Sequence, residues 1–154
     1  MEIKVDDLTD PRIASFLEQH LEDMKAVSPP ESKHALDLEA LKQPDITFWS
    51  VWQRGELVGC GAIKELDKKH CEIKSMRTCA SKRGTGIGAF LLKHILSQAE
   101  HRNYTLVSLE TGSMAFFEPA RNLYEKFGFR YCEPFSNYTH DPNSVFMELN
   151  LQNV

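Results

Sequence analysis

SKRGTGIGAFLLKHIL, residues Ser81–Leu96, joins a basic, glycine-rich turn to an amphipathic helix without a break. From Ile87 onward the apolar residues recur every three or four positions, which is the spacing of one helical stripe. Glycines at positions 84, 86 and 88 let the backbone turn tightly, so that several N–H groups of the first helical turn can point outward together. With Lys82 and Arg83 beside it, this helix start is predicted to bind an anion, and a pyrophosphate suits it better than a single carboxylate.

The same glycines also fit a dinucleotide-binding pattern, Gly84-x-Gly86-x-x-Ala89, with Glu110 about 20 residues further on. Such a fingerprint directly follows a buried hydrophobic strand. Here a polar loop, 79–83, separates the glycines from a half-polar strand, so the context disfavours dinucleotide binding. A Walker-type phosphate loop is excluded, because no glycine of the turn is followed by Gly-Lys-Ser or Gly-Lys-Thr.

Periodicity and turn residues predict the elements around this helix. The predicted helices span 11–27, 31–41, 86–102 and 119–127, and the predicted strands span 2–5, 47–52, 57–65, 72–78, 105–110, 129–135 and 144–151. Because helix 86–102 connects strands 72–78 and 105–110, those two strands should be parallel neighbours joined by a right-handed crossover. The fold class is therefore a single α/β domain over residues 1–154. It has a mixed, mostly antiparallel sheet of about seven strands with about four helices, in the order β-α-α-β-β-β-α-β-α-β-β.

Composition and charge exclude several function classes. The net charge is −4 and basic residues never run beyond a pair, so no nucleic-acid partner is expected. No apolar run approaches the ~20 residues of a membrane span, and the first residues lack a signal peptide, so we expect no membrane association and a cytoplasmic location. The four cysteines show no metal-binding spacing, which predicts free thiols and no metal site.

Two motifs resemble those of the GNAT N-acetyltransferases. Arg83-x-x-Gly86-x-Gly88 is similar to the acetyl-CoA pyrophosphate loop of that family, Gln/Arg-x-x-Gly-x-Gly/Ala. Ala120–Phe129 resembles the family segment A-x-x-L-Y-x-x-x-G-F and follows at the right distance. The resemblance covers essentially the whole chain. It implies the GNAT fold in a single domain and an acetyl-CoA-dependent transfer to an amine by direct attack.

The resemblance also implies where the cofactor binds. Strand 72–78 should separate from strand 105–110 where the glycine loop begins, and the pantetheine arm should pair with the backbone near Met76, Arg77 and Thr78. The Met76 N–H would polarise the acetyl carbonyl. The pyrophosphate would lie on the loop and helix start, formed by Lys82, Arg83, Gly84, Thr85, Gly86, Ile87, Gly88 and Ala89. The family usually has an asparagine where this chain has Phe117, so Asn122 or Ser113 is expected to replace its hydrogen bond to the cofactor.

Three residues are candidates for proton transfer. Tyr124 is the candidate general acid, since a phenol with a pKa near ~10 stays protonated at pH 7 while a thiol titrates near ~8.5. Its position also fits the buried stripe of its helix, which is the structural alternative. Glu72 is the candidate base, directly or through water, and Glu110 is a second candidate. Solvated carboxylates with deprotonation by a water chain remain the alternative for both.

The resemblance implies that the acceptor is selected by the regions that vary in the family, which are the first two helices with their 28–34 link and the loop 134–143 with Tyr138. Lys33 and His34 on the link, with Lys74 and Arg77 on strand 72–78, would repel a bare polyamine and favour a small amine that carries a carboxylate, unless they are ordinary surface residues. A protein or peptide acceptor and a non-catalytic CoA-binding module are the alternatives. Members of the family commonly dimerise, so a homodimer is compatible with the resemblance. The side chains of His20, His94, His101 and His140 are expected to face solvent without a function.

Overall fold

The computed structural model describes residues 1–27 and 38–153. Within them the chain forms β1 (Glu2–Val5), α1 (Pro11–Val27), α2 (Leu38–Leu41), β2 (Ile46–Gln53), β3 (Glu56–Asp67), β4 (His70–Thr78), α3 (Ile87–His101), β5 (Leu106–Gly112), α4 (Glu118–Lys126), β6 (Arg130–Cys132) and β7 (Ser144–Asn150). The order of elements and the α/β class are those predicted. Of the predicted second helix, the part before Leu38 lies outside the described residues.

One seven-stranded sheet contains all of these strands, in the order β1-β2-β3-β4-β5-β7-β6. The pair β4–β5 is parallel, as predicted from the helix between them, and the other pairs are antiparallel. The parallel pairing ends at Ile73 and Leu109, whereas β5 stays paired with β7 as far as Gly112. Beyond Ile73 the two parallel strands therefore separate, as expected. We call this opening between β4 and β5 the fork.

Local signals account for the ends of the elements. Asp10 accepts a hydrogen bond of 2.9 Å from the Arg12 N–H, which caps α1 at its proline start. Arg54 and Gly55 both have positive φ, 52° and 78°, and they form the two-residue turn between β2 and β3. Asn103, with φ 70°, adopts the left-handed conformation expected after α3.

The sheet is covered on both faces. On one face, apolar residues of α3 and α4 pack on β3, β4, β5 and β7, and the centre of that core is Leu91, Ile95, Ile73, Val107 and Met147. On the other face, α1 and α2 pack on β2 and β3 through Ile13, Leu17, Leu41, Phe48 and Trp52. We call this second face, including its continuation over β4, β5 and β7, the acceptor face. Because side chains alternate along a strand, β4 places Ile73 in the first core and Glu72 and Lys74 on the acceptor face.

Several strand ends differ from the prediction by one to three residues. β4 begins at His70, two residues early, because β3 extends to Asp67 and pairs with it. β6 covers only three residues of the predicted 129–135. Phe129 N–H still bonds to the end of α4 at Tyr124 O, 3.1 Å, and the pairing with β7 ends at Cys132. No helix of the described segments combines the length and apolar composition needed to cross a membrane. All four cysteines are free thiols, and Cys60 and Cys71 are buried.

Candidate active site

The glycine loop lies between the end of β4 and α3. Gly84 and Gly86 have φ of 79° and 91°, and a Cβ atom at either would meet no heavy atom within 4 Å. The first hydrogen bond of α3 runs from Phe90 N–H to Gly86 O, 3.0 Å, so the N–H groups of 87–89 precede the helical ladder. Donors at a helix start, beside an open surface, suit the oxygens of a phosphate group.

The remaining loop residues differ in what their side chains do. Ile87 is buried in the core, and a Cβ at Gly88 would lie 3.2 Å from the Leu123 side chain on α4. These two residues therefore pack the start of α3 against the core and α4. Ala89 is half-buried, and Thr85 closes the loop by donating its hydroxyl to Lys82 O. Any contact that Ile87 and Gly88 make with a ligand would therefore use their backbone.

The Arg83 guanidinium is partly exposed and bridges two elements. Its Nη2 lies 3.5 Å from Asp23 Oδ2 on α1, and its carbon lies 5.5 Å from the centre of the Phe116 ring, which follows β5. Asp23 also accepts a 2.6 Å hydrogen bond from Arg77. That bond, more than any other contact, holds the pKa of Asp23 below its usual range. Asp23 carries no signal in the sequence, because no local pattern links it to Arg77, 54 positions away.

A bulge in β4 stands at the fork. Lys74 pairs with Ala62 and Arg77 with Cys60, so Ser75 and Met76 together oppose a single residue of β3. Ser75 has a φ of 54°, and its carbonyl accepts a hydrogen bond from the Cys60 thiol. After the bulge, Met76 packs into the core under α3 and α4, while Thr78 pairs with Gly59 at the end of the strand.

Arg77 points away from the fork. Its side chain is buried, pairs with Asp23, and lies over the Phe16 ring at 5.3 Å, so it attaches β4 to α1. The expected role of Arg77 in binding a cofactor is thus limited to its backbone. Its charge also opposes protonation of His20 on α1, whose pKa falls to about 4, with burial as the main cause.

Tyr124 lies on α4 and reaches the fork from the core side. The residue is 7% exposed, and its hydroxyl lies 3.9 Å from Met76 Sδ. Burial, with a smaller effect of the Glu110 charge, raises the pKa of Tyr124 to about 12. The phenol therefore keeps its proton at every physiological pH, as a general acid requires.

Glu72 lies on the acceptor face and is 3% exposed, not solvated at a strand end. Its Oε2 is 3.0 Å from Lys74 Nζ and accepts a 2.6 Å hydrogen bond from Tyr138 Oη. Lys74 also donates to Tyr138 Oη, at 2.9 Å, so the three groups form a closed triangle. Burial, followed by the charge of Glu72, raises the pKa of Tyr138. We call this set the Glu72–Lys74–Tyr138 triangle.

Glu110 lies on the acceptor face at the other side of the fork. Its Oε2 accepts a 2.7 Å hydrogen bond from Ser144. Its charge contributes to the raised pKa values of both Tyr124 and Tyr138, so it lies within electrostatic range of both phenols. The fork thus brings the predicted acid and both predicted bases into one region.

Phe117 stands where the motif described above usually has asparagine, and Ser113 and Asn122 are the proposed replacements. The Phe117 ring covers Gly112, where a Cβ would lie 2.1 Å from Cδ2, so Phe117 has a packing role. Ser113 donates to Pro142 O at 2.7 Å and thereby ties down the acceptor-side loop. Asn122 is exposed on α4. Of the two proposed replacements, Asn122 is the one whose side chain faces outward.

The structure corrects the expected surplus of positive charge. Lys74 and Arg77 are each paired with a carboxylate. The partner of Lys74 is Glu72, two residues earlier on the same face of β4, and the partner of Arg77 is Asp23 on α1. Lys33 and His34 lie outside the described residues. The prediction of solvent-facing histidines is wrong for His20 and His94, which are half-buried, the latter edge-on to Trp49 at 5.7 Å. It is confirmed for His101 and His140.

Comparison with known proteins adds four findings. Residues 13–129 match the model of the Acetyltransferase (GNAT) family. An uncharacterized N-acetyltransferase of Bacillus subtilis (strain 168), YsnE, is 60% identical and aligns over 96% of this chain and 97% of its own length. An IAA acetyltransferase of Azospirillum brasilense is 40% identical over 78% of each chain. A solved Klebsiella pneumoniae structure, described as an acyl-CoA N-acyltransferase, superposes with a TM-score of 0.75, 27% identity and 97% coverage of both chains.

Proposed function

The chain belongs to the acetyltransferase (GNAT) family and is an N-acetyltransferase, and from this premise we propose that it transfers an acetyl group from acetyl-CoA to a small-molecule amine. One observation carries the proposal. The fork opens beside an uncovered glycine loop, with Tyr124 next to Met76 on the core side and with Glu72 and Glu110 on the acceptor face of the two strands that form it.

The described residues fit an acyl-CoA. Gly84 and Gly86 leave open space where side chains would stand, and the N–H groups of 87–89 with Lys82 and Arg83 suit a pyrophosphate. Beyond Ile73 the fork leaves the facing edges of β4 and β5 without their mutual pairing, which suits the amide groups of a pantetheine arm. Acetyl-CoA would supply the acyl group as an activated thioester.

Each candidate residue has a distinct task in this proposal. Tyr124 holds a proton at Oη, ready for a departing thiolate, because its pKa lies far above that of a thiol. Glu72 or Glu110 accepts a proton from the acceptor ammonium, directly or through water. The Met76 backbone N–H, at the bulge beside Tyr124, is the proposed donor to the acyl carbonyl.

A small acceptor agrees with the covered acceptor face. The loop between β6 and β7 crosses this face and is tied down by Tyr138, by the Ser113 bond to Pro142, and by the Phe135 ring, 5.9 Å from Phe146. An extended peptide would need that surface to be open. The Azospirillum relative is named for acetylating IAA, which supports a small acceptor here. We propose that the acceptor also carries a carboxylate, with Lys74 on this face as its partner.

Calorimetric titration with acetyl-CoA tests the proposal first. Wild-type protein should bind in about the micromolar range, and an Arg83→Ala, Gly86→Ala double variant should lose most of that affinity. Gly55→Ala is the matched control for glycine strain, because Gly55 also has positive φ and open space but lies in the β2–β3 turn. A folded wild-type protein that does not bind would refute acetyl-CoA as the donor.

A thiol-release assay then separates the acceptor classes. Turnover with small amines supports the proposal. Turnover restricted to peptides would favour a protein acceptor, and binding without any turnover would favour a CoA-binding module.

A further inference from the structure

A buried ion pair on β4 lies beside the fork with one phenol bound to both of its charges. Lys74 Nζ and Glu72 Oε2 are 3.0 Å apart, and their side chains are 9% and 4% exposed. Removing two charges from water costs about as much as their attraction returns, so such a pair is weak evidence for a purely stabilising role. A role in recognition explains why the two charges stand at this point of the chain.

The directions of the two hydrogen bonds at the Tyr138 hydroxyl indicate which groups the ion pair can recognise. Tyr138 Oη accepts a hydrogen bond from Lys74 and donates one to Glu72, at 2.9 and 2.6 Å. A ligand that takes its place must therefore present an acceptor to the lysine and a donor to the glutamate. A carboxylate and an ammonium do this with full charges, and such bonds are roughly twice as strong as neutral ones.

The spacing of the pair selects among amines that carry a carboxylate. In an α-amino acid two covalent bonds separate the amino nitrogen from the carboxylate carbon, which places nitrogen and oxygen about 3 Å apart. That spacing matches the 3.0 Å between Lys74 Nζ and Glu72 Oε2. We propose, on the basis of the acetyltransferase function above, that the acceptor is an α-amino acid whose zwitterion pairs with Lys74 and Glu72 and displaces the Tyr138 hydroxyl.

This position is compatible with acetyl transfer. An ammonium on Glu72 lies on the acceptor face at the fork, the region that Tyr124 reaches from the core side. Tyr138 belongs to the segment between β6 and β7, where the strand pairing has ended, so its displacement breaks no strand pairing. Lys74 is then a specificity-determining residue that binds the acceptor carboxylate.

The test compares amino acids with the amines that lack only the carboxylate: tyrosine with tyramine, tryptophan with tryptamine, and histidine with histamine. For the accepted pair, wild-type kcat/KM should favour the amino acid by about 10- to 100-fold, the range of a charged hydrogen bond. In Lys74→Met the ratio should fall towards one, mainly through KM of the amino acid. Lys69→Met removes the same charge from the exposed β3–β4 turn and should keep the wild-type ratio.

A second variant provides the test if Lys74→Met does not fold. Tyr138→Phe removes the competing hydroxyl and should lower KM for the amino acid relative to the amine. Equal kcat/KM for both members of every pair in the wild type, or an unchanged ratio in Lys74→Met, overturns the inference and leaves the small-molecule function standing. Turnover of other small amines but of no amino acid overturns the inference alone, and acetyl-CoA binding without turnover of any small amine overturns it together with that function.

Discussion

Replacing Tyr124 with phenylalanine should remove most of the activity and almost none of the stability. The hydroxyl is buried, and its neighbour is the sulfur of Met76 at 3.9 Å, a weak acceptor. Loss of that contact should change the free energy of unfolding by less than about 1 kcal/mol. Loss of a positioned general acid should lower kcat by about 10²- to 10⁴-fold, or roughly 3 to 5 kcal/mol of barrier.

The raised pKa of Tyr124 also predicts how kcat depends on pH. Moving the pKa of Tyr124 from its ordinary 10 to about 12 leaves the phenolate about a hundredfold rarer at any given pH. Wild-type kcat should therefore show no loss from ionisation of Tyr124 up to about pH 10.

Single-turnover kinetics, with saturating acetyl-CoA and the enzyme in excess over the amine, measure the chemical step directly, and urea unfolding measures stability. Tyr131→Phe is the matched control, since Tyr131 is an exposed tyrosine on β6. A Tyr124→Phe rate within about threefold of wild type, at unchanged stability, would mean that Tyr124 only packs the core. That result would refute the assignment of the acid.

Two further predictions concern stability. Gly112→Ala should destabilise the protein by about 1 to 3 kcal/mol, because the new Cβ would lie 2.1 Å from the Phe117 ring, and adding Phe117→Ala should restore part of the loss in thermal unfolding. His20 has its pKa lowered from 6.5 to about 4, so the unfolded chain binds its proton first and stability should fall as pH drops from about 6.5 to 4. His20→Gln should weaken this dependence in urea unfolding, and an identical pH slope in both proteins would contradict it.

Local sequence was sufficient for the order of the elements. The turn at Arg54-Gly55, the cap at Asp10 and the open glycines at 84 and 86 each depend on a few neighbouring residues. The parallel pairing of β4 and β5 also followed from the helix that connects them. The predicted bounds were wrong at the ends of some strands. At β6, for example, the Phe129 N–H bonds to the end of α4 and does not take part in strand pairing.

The sequence alone determined the fold class and the glycine-rich loop before α3, because hydrophobic period and glycine conformation act over short stretches of chain. The candidate acid and bases came from the resemblance of its motifs to those of the GNAT family. Only the tertiary structure showed which partners the charged side chains of the site have. The carboxylate of Glu72 meets Tyr138 across 66 positions, and the guanidinium of Arg77 meets Asp23 across 54, so both charged groups have distant partners. No sequence period encodes such contacts, since they arise only when the sheet and its covering loop bring distant residues within a few ångströms.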